Sequence, residues 1–327
     1  SSNILSPLEI VKIAPTGAVS PFINRSSTYT EVGSGSYWYS GRVVQLAIHP
    51  ASQTLYALDA HGMAESYTSA SIRPISAAGV VGTVTLADTP THANKSPLPP
   101  VVTQYATALA AGPDGALHAY GIGSSSESGT PSSGSYRMSF NGWQIVNPDG
   151  SGRMLYSQES GSITRGWMDP TGPFAYTYPV DISTTAGQLG YNEGGLAVDS
   201  AGNGYIADTQ RHAIVKVTAA GAASILAGTA TQSGSADGTG AAARFNGPTQ
   251  LVVDKAGNVF VLDRGNATVR KITPAGVVTT VLGVAGQSQT KTGELPGGLG
   301  TPMGLAMDAA GRLYVTVDKG VVRAKLP

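Results

Sequence analysis

Carboxylates recur in this chain at a fixed interval. Asp199, Asp254 and Asp308 stand 55 and 54 residues apart, and each is followed, after one residue, by Ala-Gly and then Asn203, Asn258 or Arg312. A ring of carboxylates could hold a divalent cation or divide acid and base roles. Their setting points to a plainer use. Each stands directly before a short turn that ends on Gly, where an aspartate accepts hydrogen bonds from nearby backbone N–H groups. Asp169, before Pro-Thr-Gly172, and His49, which takes the aspartate's place in another segment, read the same way.

A second set of charges offers more. Asp208 is followed by Arg211 and His212, and Asp263 by Arg264, so that carboxylate and guanidinium alternate where an anion or polar ligand could be bound. Tyr29, Glu31, Tyr37, Trp38 and Tyr39 share one Gly/Ser-rich stretch, and aromatic faces beside a carboxylate suit a sugar or peptide. Glu193 stands where the later segments have Pro248 and Pro302. The expected ligand-binding set is therefore Glu31, Tyr37, Trp38, Tyr39, Glu193, Asp208, Arg211, Asp263 and Arg264. His61 with Glu65, and His92, could supply imidazole, but no His-x-His or His-Glu-x-x-His spacing accompanies them, so neither metal nor cofactor is expected. His118 occupies the slot of Tyr205, Phe260 and Tyr314 and reads as a core residue. No catalytic acid, base and nucleophile set emerges.

The elements that must position these residues follow from the same repeat. Each unit holds four short apolar runs, in the first case Leu196–Val198, Tyr205–Ala207, Ile214–Val217 and Ala223–Ala227, divided by Gly/Asn/Asp punctuation. Such runs predict antiparallel strands joined by hairpins, and a repeated four-stranded meander predicts propeller blades around a channel. First-strand candidates at Leu46, Leu109, Trp167, Leu196, Leu251 and Leu305 give six blades in a single domain, residues 1–327. Ile10–Gly17 matches Val269–Gly276, which predicts that the ring closes by pairing the N- and C-terminal strands. Val321–Leu326 also reads as a third strand, leaving one strand more than that closure needs.

The strings GLAVDSAGNGYIADTQRHAIVKV (195–217) and LVVDKAGNVFVLDRGNATVRKITPAG (251–276) resemble the NHL-repeat family of β-propellers, and DGTGAAARFNGP (237–248) is similar to the linker between blades in its bacterial members. The resemblance implies a turn-stabilising role for Asp208 and Asp263. Related propellers include peptidylamidoglycolate and streptogramin lyases and, more distantly, gluconolactonase-like hydrolases, so a lyase or lactonase-like enzyme with a polar or metal site at the channel mouth is the alternative reading. No such catalytic set maps onto this chain residue by residue.

Composition narrows the partners. Only 12% of residues are charged, and the net charge is zero, so general attraction to nucleic acid or to anionic membranes is not expected. Cysteine is absent, which removes disulfides and thiolate chemistry. No apolar run reaches the ~20 residues of a membrane helix. Low charge with many small polar residues suits an extracytoplasmic bacterial protein, expected to be a monomer.

Strand order assigns the faces. Turns after first and third strands are short and share one face. The long stretches, 24–41, 60–70, 87–105, 123–142, 229–247 and 284–301, follow second or fourth strands on the other. Within the fourth of these, Gly123–Ser135 reads as a flexible tract. Long loops on a rigid scaffold carry function. The expected activity is binding of a protein or glycan through that face.

Overall fold

The computed structural model describes residues 9–13, 19–24, 42–49, 52–63, 66–78, 80, 105–128, 135–146, 152–164, 194–287, 289–318 and 320–326. These form antiparallel sheets connected in sequence order. β1 (Glu9–Ile13) pairs with β2 (Val19–Asn24); β3 (Arg42–Ile48), β4 (Leu55–Met63) and β5 (Ser66–Ile75) form the first blade. β6 (Tyr105–Ala111), β7 (Leu117–Ser128), β8 (Ser135–Val146) and β9 (Gly152–Thr164) form the second. The third holds β10 (Leu196–Val198), β11 (Gly204–Asp208), β12 (Ala213–Val217) and β13 (Ala223–Gly228). In the fourth, the two-residue strand β14 (Gly238–Thr239) adds to the outer edge of β15 (Pro248–Val253), β16 (Val259–Asp263), β17 (Thr268–Ile272) and β18 (Val277–Leu282). After a small hairpin of β19 (Thr290–Lys291) and β20 (Gly298–Leu299) comes the fifth blade, β21 (Pro302–Met307), β22 (Arg312–Val317) and β23 (Gly320–Lys325).

Each core cluster is shared by two successive blades. Ala47, Tyr56, Leu58 and Ile72 of the first pack on Leu109, Leu117 and Ala119 of the second. Ala108, Tyr120 and Trp143 of the second pack on Leu196, Ile206 and Val215 of the third. Phe260, Leu262 and Val269 of the fourth meet Leu305, Leu313 and Val315 of the fifth. A blade alternates side chains toward its two neighbours, so stacking is what buries the strands on both faces. The tightest contact is at the second seam. A Cβ on Gly204 would lie 1.3 Å from Trp143 Cη2, so only glycine lets the buried indole come this close to β11.

The expected first strands at Leu46, Leu109, Leu196, Leu251 and Leu305 lie on β3, β6, β10, β15 and β21. The unit beginning at Trp167 lies outside the described residues; the second and third blades pack directly on each other. Two expectations need revision. The strand beside β22 is β23, from Val317↔Gly320 to Arg312↔Lys325, so β23 and not β1 holds the third-strand place, and β1 pairs with β2. The third-strand place was read twice in the sequence, and the segment joined to β22 by a two-residue turn takes it, since a short hairpin costs less closure entropy than a return from the far end of the chain.

The second revision concerns the stretches 60–70 and 123–142. They continue their strands: β4 and β5 pair as far as Met63↔Ser66, and β7 and β8 as far as Ser128↔Ser135. With β9 paired out to Thr164, the second blade extends into a three-stranded arm. Eight residues beyond Tyr120 span about 26 Å at the usual rise of a strand. Gly and Ser in the tract 123–135 carry no apolar pattern, but the ladder needs only backbone groups and an unbroken register.

Candidate binding face

The short-turn face is built as the spacing predicts. Asp199 Oδ1 accepts the N–H groups of Ala201 (2.9 Å) and Asn203 (2.9 Å), and Oδ2 accepts Asn203 Nδ2 and the Tyr205 hydroxyl. Asp254 repeats this with Ala256 and Asn258, and Asp308 with Ala310, Arg312 and Tyr314. Burial opposes ionisation of Asp199, but these bonds outweigh it and hold its carboxyl below the usual range. The Arg312 backbone bond chiefly draws Asp308 down to about 2. His49 Nδ1 accepts the Ser52 N–H at 3.0 Å, the same turn role in imidazole form. Asn203 Oδ1 also accepts the Ala219 N–H at 3.3 Å, which ties the first and third turns of one blade together on this face.

His118 is a core residue, buried in the second blade, where its Nδ1 accepts the Trp143 indole N–H at 3.1 Å. His61 lies in β4, opposite Ser69, while Glu65 and His92 fall outside the described residues. Glu31, Tyr37, Trp38, Tyr39 and Glu193 also lie outside them, as do Tyr29 and Asp169.

Asp208, Arg211, Asp263 and Arg264 are all placed on the opposite face, and they divide. Asp263 is fully buried: its Oδ1 accepts the Asn246 N–H (2.7 Å), and its Oδ2 accepts Asn266 Nδ2 (2.7 Å) and Arg270 Nη1 (3.1 Å). Burial raises its carboxyl above the usual range, against the downward pull of these same bonds and of the Arg270 charge. Arg270, equally buried, donates from Nη1 to the Arg244 carbonyl and from Nη2 to the Ala236 carbonyl and to Asp237 Oδ1 at 2.7 Å. Its guanidinium lies 5.2 Å from the centre of the Phe245 ring. Asp237 in turn accepts the N–H and hydroxyl of Thr280. Burial opposes its charge too, but the Thr280 and Arg270 bonds hold the carboxyl low.

This cluster converts the long stretch 229–247 from a loop into a packed linker. The chain leaves β13, adds β14 to the edge of the fourth blade, and returns over that blade with Ala243 and Phe245 in the core. Sequence reading singled out Asp263 but missed Arg270, whose available signal was a charged residue inside the apolar run 268–272. A buried arginine needs several acceptors; the linker supplies them at Ala236, Asp237 and Arg244, and Asp263 adds a fourth.

Arg211 and Arg264 are different. Asp208 is buried beneath the β11–β12 turn, with the Arg211 N–H bonded to its Oδ1 at 3.1 Å. The Arg211 side chain is partly exposed and that of Arg264 exposed, and neither guanidinium has a partner among the described residues. His212, at φ 58°, accepts the Gly247 N–H on Nδ1 at 3.0 Å, and the Asn246 carbonyl accepts the Gly265 N–H at 2.8 Å. The linker's other end joins at Thr231, whose N–H reaches the Arg211 carbonyl at 3.1 Å. Both turns are thus fixed to one dipeptide, Asn246-Gly247.

The channel mouth on this face has a feature that spacing alone did not reveal. The inner strands of the first, second, fourth and fifth blades each carry a register shift near the start, at Val43/Gln45, Ala106/Ala108, Pro248/Gln250 and Pro302/Gly304. Bulges of this kind bend a strand and re-aim one side chain. At the corresponding place in the third blade, the Gly195 N–H donates to the Thr249 carbonyl of the next inner strand. Among the described residues no cluster of three or more His, Asp or Glu could hold a metal ion.

No protein-family model and no curated protein matches this sequence. Solved structures match it at the level of fold. A protein of unknown function from Bacteroides thetaiotaomicron aligns over 95% of this chain at 14% identity and a TM-score of 0.56; the chain spans 62% of that structure's length. An auxiliary nutrient binding protein from the same organism aligns over 87% of this chain and 70% of its own, at 14% identity and a TM-score of 0.45. A virginiamycin B lyase from Staphylococcus aureus aligns over 98% and 75%, at 11% identity and a TM-score of 0.45. At such identities the likeness carries architecture alone: the chain is an all-β propeller, similar to six-bladed bacterial propellers.

Proposed function

We propose that this chain is an extracytoplasmic, NHL-type propeller that acts as a binding module, presenting its long-loop face to a protein or glycan. The supporting observation is an asymmetry of polar groups. On the short-turn face the carboxylates Asp199, Asp254 and Asp308 are spent on their own turns. On the other, the guanidiniums of Arg211 and Arg264 have no partner among the described residues, on turns that the linker holds in place. Charge-assisted donors held in place lose little entropy on binding.

The test is a screen of purified protein against a glycan array and extracts of envelope proteins. Capture of a ligand that is lost when the 208–212 and 263–267 turns are altered supports the reading. A screen without ligands, or turnover of a lactone or a cyclic depsipeptide by the same protein, overturns it in favour of the enzymatic alternative.

A further inference from the structure

The turn pair on the long-loop face carries a more specific message. We infer that Arg211, His212 and Arg264 form a subsite for the anionic group of an acidic glycan, a uronate carboxylate or a sulfate ester; this rests on the binding-face reading above. Three observations converge. First, the donors share one support. The Gly247 N–H occupies His212 Nδ1, so the neutral ring carries its proton on Nε2, and the neighbouring Asn246 carbonyl holds the Gly265 N–H beside Arg264.

Second, the nearby carboxylates are withdrawn. Asp208 and Asp263 lie buried under their turns, and Asp237, though half-exposed, is neutralised by its pairing with Arg270 and its bonds from Thr280. Other described acids lie on other blades: Glu294 and Asp318 in the connection and turn of the fifth, Glu127 and Glu159 in strands of the second. Among the described residues of these two turns, the charges left without a partner are the cations Arg211 and Arg264, in a chain of zero net charge.

Third, the surroundings are hydroxyls and amides. Gln210, Thr231, Gln232 and Asn246 lie beside these turns, and each is at least partly exposed. Protein-binding patches centre on aromatic or aliphatic anchors, and none stands among these residues. Amide and hydroxyl groups pair with sugar hydroxyls, while two guanidiniums pair with the acid. Phosphate-rich polymers are disfavoured, because sparse cations on a neutral protein give little counterion-release gain.

Affinity electrophoresis decides the matter, using polygalacturonate for carboxylate, dextran sulfate for sulfate and plain dextran as the neutral control. Wild-type protein is expected to be retarded by one acidic polymer and not by dextran, with the effect weakening as salt rises. R211A/R264A should weaken retardation at least tenfold while its circular dichroism and melting temperature stay unchanged. Retardation by acidic polymer that survives in the double variant overturns the subsite. So does binding of a neutral glycan or a protein that leaves R211A/R264A unaffected, though the binding-face reading then stands. Absence of every ligand removes both.

Discussion

The third and fourth blades contain the same turn built to different ends. Asp208 and Asp263 close their second strands alike, and His212 and Ala267 both take left-handed backbone at φ 58° and 54°. In the fourth blade the partner cation, Arg270, lies inside and gathers the linker. In the third, Val215 holds that strand position and the cation, Arg211, stands in the turn and faces outward. A charge placed inside becomes scaffold, because burial makes it draw its partners from within the fold. Placed one turn away it stays available. The fifth blade shows a third solution: Val317 takes the aspartate's place and the turn shortens.

Substitutions that break the comparison should rank accordingly. R270A leaves Asp263 buried and Asp237 half-released, and should cost about 3–5 kcal/mol in urea unfolding; a loss under about 1 kcal/mol would show that the linker does not depend on it. At the third blade's other seam, G204A drives a Cβ into Trp143 and should cost about 1–3 kcal/mol, with a change in tryptophan fluorescence. On the short-turn face the effect is smaller and depends on pH. The Asp308 carboxyl is held below its ordinary value, so its contribution is complete above about pH 4 and is lost as pH falls toward about 2. D308N should therefore flatten the fall of melting temperature over that range relative to wild type. Smallest of all, R211A should leave stability within about 0.5 kcal/mol of wild type, and a larger loss would mean that Arg211 is scaffold after all.

Local turn chemistry was readable because each Asp-x-Ala-Gly unit finds its partners within seven residues, so its role needs no tertiary information. The two-face assignment was readable from strand order, since a meander alternates its turns. Arg270 was hidden because its acceptors come from residues 236, 237, 244 and 263, and no periodicity links those positions. The extended arm was hidden for the opposite reason. A Gly/Ser tract has no apolar alternation to announce a strand, yet backbone pairing can carry on through it.

The packed linker has a bearing on how the molecule opens. Residues 229–247 leave the third blade but are held by Arg270 of the fourth, and their far end is bonded to His212 of the third. Neither blade can lose its protecting ladder alone without also releasing that shared segment. Amide protons of β11, β12, β16 and β17 should then exchange with a common opening free energy, while those of the β7–β8 arm exchange earlier and independently. In R270A the common value should split into two, one for each blade.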